Sequence, residues 1–252
     1  MPKRSVYLDF IREAYRRDLP RLEEEVAHWR SQFNPDNPLF GYSATRYPLS
    51  VAVIAAFLYE QDGDPALAQV ALENMLCFRE FTKMYPEEAA RERPEYKDGI
   101  PPLDNAFDPV QFAPACERIR DAVSPADYDL LAGIMADSLR PTWLFPEWGG
   151  HNRAMLRAAS LALCARAFSQ HPDAPGWASL ADELAEESWG RWSVEDAMMY
   201  QSHWLRSMIF YAEANGKAAE MAQFMPARMH IRAMPQLMSP LGVLPDFGDS
   251  HW

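Results

Sequence analysis

Cysteine is scarce in this chain of 252 residues: Cys77, Cys116 and Cys164 are the only three. They are odd in number and scattered, and each falls in an apolar context of helical character. Such spacing argues against a disulfide framework and offers no zinc-ligand pattern. The expectation is three buried free thiols in a reducing compartment. Positive charge is also short. Lys and Arg number 24 against 36 Asp and Glu, a net charge of -12. That balance argues against a general nucleic-acid binder, whose affinity comes from cations meeting phosphates. A polyanionic ligand would need a local concentration of positive charge.

Long apolar runs are missing as well. The longest, "VAVIAAFLY" at 51–59, is too short to cross a bilayer, so no membrane partner is expected. The opening "MPKRSVYLDFIREAYRRDLP" has basic residues but no uninterrupted apolar stretch behind them, unlike a signal peptide. A cytoplasmic address is the expectation. There is no β-alternating segment, no low-complexity linker and no fixed repeat period, which argues against the standard short helical repeats.

What is present is a globular composition, 48% hydrophobic, patterned almost throughout for helix. Helices are predicted over 5–32, 48–61, 65–84, 109–122, 125–139, 152–169, 174–189, 194–215 and 218–234. Pro20 marks a break or a new first turn in the first of them. Asp64–Pro65 and "SPAD" at 124–127 supply N-cap and N1 residues. Residues 86–108, with four prolines and many charges, and "RPTWLFPEWGG" at 140–150 read as irregular stretches. Paired helices joined by short turns predict an all-α fold, a solenoid or toroid of antiparallel pairs in a single domain over 1–252. The chain ends in "SPLGVLPDFGDSHW" with no closing helix. The expected architecture is therefore an incomplete (α/α) toroid lacking its C-terminal helices.

Three segments concentrate unusual polar residues. The first is "FPEWGGHNRAML" at 145–156, with Glu147, Trp148, His151, Asn152 and Arg153 just before an apolar helix. The second is "EDAMMYQSHWLRSMIFY" at 195–211, where Tyr200, His203, Trp204 and Tyr211 fall on one helical face. The third is "PDFGDSHW", with Asp246, Asp249 and His251. Each has a plain alternative: a helix cap at Asn152 or a neighbour, an aromatic packing stripe, and a turn. Three histidines fall inside these segments, while His28, His171 and His230 fall outside. A tryptophan accompanies each cluster: Trp148, Trp204 and Trp252. Aromatic faces stack on sugar rings and polar groups orient their hydroxyls, so the three segments together suggest a carbohydrate cleft.

The segments "GDPALAQVALENML", "EWGGHNRAMLRAASLALCARAF", "EDAMMYQSHWLRSMIFYAE" and "SPLGVLPDFGDSHW" resemble the α/α-toroid domain of heparinase II/III-like and alginate-lyase-like polysaccharide lyases. The resemblance runs from about residue 40 to the end, in spacing and residue type more than in a strict motif. In such lyases an Asn, often next to a His, lies at a helix start, and a catalytic Tyr follows roughly fifty residues later on another helix. Asn152 and Tyr200 match that order, although many relatives read Asn-His where this chain reads His151-Asn152-Arg153.

The resemblance implies β-elimination on an acidic oligo- or polysaccharide; no cofactor is expected, and the sequence shows no clear metal-ligand spacing. Asn152 and His151 would neutralise the uronate carboxylate as charge develops on it, in the manner of an oxyanion site. Tyr200 would act as base and acid, with His203 as its helper or as the base itself. Glu147, Trp148, Arg153, Trp204, Asp249 and His251 would contact substrate. Two other readings stay open. One is a glycoside hydrolase using two carboxylates among Glu147, Glu195, Asp196 and Asp249. The other is a non-catalytic helical carbohydrate-binding protein.

Overall fold

A computed structural model describes residues 4–31, 46–82, 104–144, 146–190, 198–237 and 240. Among them every regular element is a helix and there is no strand. The helices are α1 (Arg4–Ser31), α2 (Arg46–Asp62), α3 (Pro65–Thr82), α4 (Asp104–Ile119), α5 (Pro125–Leu144), α6 (Asn152–Ala167), α7 (Ala174–Gly190), α8 (Met198–Ala214), α9 (Ala218–Gln223) and α10 (Met225–Leu237). A single 3-10 turn, Arg120–Ala122, follows α4. Among the described residues no helix is long and apolar enough to cross a membrane. Contacts divide the chain into two compact units. One is Met1–Asp98 with Gln111–Ser138, and the other is Gly99–Val110 with Leu139–Trp252.

In the first unit the turn between α2 and α3 follows from local chemistry. Gly63 takes φ +71 and donates its N–H to the Tyr59 carbonyl, closing α2. Asp64 then accepts from the Ala66 N–H at 2.9 Å and opens α3. The hairpin buries Ala52, Ala55 and Ala56 against Ala68 and Ala71, small side chains that let the two helices approach closely. Cys116 of α4 meets Met75 of α3, sulfur to sulfur, at 3.4 Å. Cys77, Cys116 and Cys164 are all buried free thiols. α1 is mostly exposed and is tied to α2 by Arg12 on Asp62 and Arg4 on Gln61.

The second unit is built round α6. Every side chain from Ala154 to Cys164 is buried, as expected of a helix apolar on all sides. α7 and α8 both lie against it. α7 returns along α6 after a six-residue connection, 168–173, which makes the pair antiparallel. Ser188 and Asp182 of α7 pair with Trp204 and Tyr211 of α8, so α7 and α8 are antiparallel too. It follows that α6 and α8 run in the same direction and begin at the same end of this three-helix group.

Helix boundaries differ from the sequence expectation in several places; α4, for one, starts at Asp104, inside the stretch read as irregular. α1 runs on through Pro20 without a break; the helix is exposed there, so the Arg16 carbonyl freed by the proline stays open to water. α5 continues through Pro141 to Leu144, where the Trp143 ring lies over Gly176 so closely that a Cβ there would meet it at 2.5 Å. The expected helix over 218–234 is two helices. Phe224 is extended (φ -67, ψ 120), and α10 starts just beyond it with Pro226 at its second position. Pro226 has no N–H for the Ala222 carbonyl, so a continuous helix would lose that bond and clash with it.

Candidate functional site

His151 is the N-cap of α6. Its backbone is extended (φ -125, ψ 165), and its Nδ1 accepts from the Ala154 N–H at 3.4 Å. Accepting at Nδ1 puts the ring proton of a neutral imidazole on Nε2. Nε2 lies 3.8 Å from Glu147 Oε1. Gly149, at φ +135, makes room for the ring; a Cβ there would stand 2.9 Å from His151 Cδ2. The paired glycines before the helix thus let the chain fold back so that Glu147 reaches the first two turns of α6.

Glu147 is held by two arginines. Arg153 Nε lies 3.2 Å from its carboxylate oxygens. Arg157, fully buried, pairs with the same carboxylate and also donates to the Arg153 carbonyl at 3.3 Å. Arg153 Nη2 is out of reach of water and has no hydrogen-bond partner among the described residues. Two guanidiniums thus converge on one carboxylate at this end of α6, in a chain whose net charge is -12. Neither α6 nor α8 carries an acid in its own first turn, and the carboxylate at the starting end of α6 comes from Glu147 in the segment before it.

The other expected site residues divide into four groups. Asn152 is half-buried as the first residue of α6, and Tyr200 and His203 are half-buried in the first turns of α8, at the same end of the group. Burial, and after it the nearby Arg206, lowers the His203 pKa below its ordinary value. Trp148 is exposed. Trp204, by contrast, is 2% exposed and its indole N–H donates to Ser188 at 3.0 Å, an arrangement that packing accounts for. Asp246, Asp249 and His251 lie outside the described residues, as do Glu195 and Asp196.

Sequence reasoning passed over Arg157. Its only signal was a charge inside the otherwise apolar run "AMLRAASLALCA". It also passed over a polar group on α7 and α8. The Tyr211 hydroxyl donates to Asp182, and Lys217 Nζ donates to Asp182 at 3.0 Å and to the Tyr211 oxygen at 2.8 Å. Tyr211 is buried under Trp189, which meets it edge-on at 5.4 Å. Burial, and then the bond to Asp182, push its phenol up to about 12 against the opposing pull of Lys217. Among the described residues no three His, Cys, Asp or Glu side chains gather where they could hold a metal ion. No family model, curated protein or solved structure matches the chain.

Proposed function

We propose that the chain is a polysaccharide lyase that cleaves a uronic-acid-containing glycan by β-elimination, on an α/α toroid. What carries this reading is the shared starting end of α6 and α8. Asn152 and Arg153 stand there on one helix, Tyr200 and His203 on the other. The α2–α3 and α6–α7 hairpins are the kind of pair from which a toroid is made.

The difficulty in β-elimination is the C5 proton, which is weakly acidic until the neighbouring carboxylate is neutralised. The starting ends of α6 and α8 and the arginines beside Glu147 would offer that neutralisation in an otherwise acidic molecule. Asn152 would donate to the carboxylate as charge moves onto it. Tyr200 would take the proton and return it to the leaving glycosidic oxygen. The lowered pKa of His203 leaves it a neutral imidazole at neutral pH, able to accept a proton from the tyrosine or from the sugar itself. No cofactor is needed, and a cytoplasmic address belongs to the same reading.

For a hydrolase, Glu147 is a poor candidate acid, while Glu195, Asp196 and Asp249 lie outside the described residues. The oxygens of Glu147 are taken by Arg153 and Arg157, so neither is placed to protonate a glycosidic oxygen. The test is the ultraviolet absorbance of the unsaturated uronate made by β-elimination, followed on glucuronan, alginate and heparin-type oligomers. Reducing ends formed without that absorbance would select hydrolysis, and binding without turnover would select the non-catalytic reading.

A further inference from the structure

Residues 221–245 contain no Asp or Glu, in a chain that has 36 of them. α10 lies inside this stretch. Its described side chains form a mixed face: Met225 is 58% exposed, Met229 46% and Ile231 56%, and Arg228 and Arg232 are exposed as well. On a helix of 3.6 residues per turn the two arginines stand one above the other. Met225 and Met229 then fall along one flank of them and Ile231 along the other. Large apolar side chains that straddle a cationic ridge are out of place on an ordinary solvated surface.

We propose that α10 lies on an anionic lipid surface, with Arg228 and Arg232 reaching the phosphates while Met225, Met229 and Ile231 enter the boundary of the acyl region. Guanidiniums on short apolar stems, set between apolar flanks, suit a helix lying in the plane of the interface. α10 is neither long nor apolar enough to span a bilayer. Overall charge does not forbid the contact. At physiological ionic strength exposed charges are screened within about 8 Å, so the bilayer responds to the local pair of arginines more than to the distant acids. An acidic polysaccharide could also meet the arginines, but it would leave the two apolar flanks in water.

The test is flotation of the full chain with phosphatidylcholine vesicles, with and without phosphatidylglycerol, at low and physiological salt. Binding is expected only to the vesicles containing phosphatidylglycerol, and weaker at the higher salt. Arg228→Gln and Arg232→Gln should each weaken it by about fivefold. Met229→Ser should weaken it without changing its salt dependence, and circular dichroism should show all variants folded. Equal binding to both vesicle types, or unchanged binding of the double arginine variant, would overturn the proposal. So would binding of polyuronate through these arginines by a chain that ignores vesicles.

Discussion

Arg157, without exposure in α6, is paired with the carboxylate of Glu147 from the segment that precedes the helix. Removing one partner strands the other in a region that cannot solvate it. We therefore expect Glu147→Gln to cost roughly 3–5 kcal/mol of stability. Replacing both, as Glu147→Leu with Arg157→Met, should cost less than the single change, because the fully buried charge goes with its partner and Arg153, which also loses Glu147, is partly exposed. Urea unfolding of the two variants checks this, and a double variant less stable than Glu147→Gln would show that the two side chains do not act as a pair.

Gly149 and His151 form a second coupled pair. Gly149→Ala puts a Cβ 2.9 Å from the His151 ring on a backbone at φ +135. The strain should lower stability by about 1–3 kcal/mol. His151→Ala alone should cost about 1 kcal/mol through the lost cap. With the ring gone, Gly149→Ala should cost less than it does in the wild type, since only the backbone strain remains. Thermal melts of the four proteins decide whether the ring collision or the dihedral angle dominates.

Tyr211 predicts an alkaline limit. Its folded pKa of about 12 lies above the unfolded value near 10. The contribution is fully present below about pH 10 and is lost as pH rises through the folded value. Tyr211→Phe should be less stable at neutral pH, with a flatter alkaline limb. Unfolding free energies measured across that range, beside the phenolate absorbance of the native protein, provide the check.

His203 works in the other direction. Its folded pKa is lowered, so the associated stability is present above about pH 6.5 and is lost as pH falls through the folded value. A titration of its Cε1 proton by NMR should give a midpoint below that of an exposed histidine such as the one in a short peptide. In His203→Gln the acid limb of stability should lose that component.

How much of this was legible depended on the range of each interaction. The caps at Asp64 and Ser124 were read correctly because their partners are two and three residues away, as Ala66 on Asp64 and Asp127 on Ser124 show. The break at Phe224 was also written locally, in Pro226, but the apolar pattern on both sides hid it. The aromatic stripe of α8 was ambiguous for a physical reason. Helical spacing puts Trp204 and Tyr211 on one face whether that face meets a sugar or the core, and only the Ser188 and Asp182 partners reveal which. Arg157 was illegible because its meaning lies in Glu147, brought to it by the positive φ of Gly149.

The proposed chemistry rests on two residues that begin different helices. Tyr200→Phe keeps the ring and removes only the oxygen that moves protons, so it should abolish β-elimination while leaving oligosaccharide binding nearly intact. Asn152→Ala should slow turnover by about a hundredfold or more, because a donor to the developing charge is lost. His203→Ala should be the milder change if it assists Tyr200 and the severe one if it is itself the base. These alternatives separate in the pH profile. If His203 is the base, wild type should show an acid limb that follows its lowered pKa, and Tyr200→Phe should keep that limb at reduced height instead of abolishing turnover. The measurement is the rate of absorbance gain on uronate oligomers for wild type and each variant. An active wild type whose activity survives Tyr200→Phe would remove the tyrosine from the mechanism. Equal losses in binding and turnover for Asn152→Ala would make that residue a binding contact and no more.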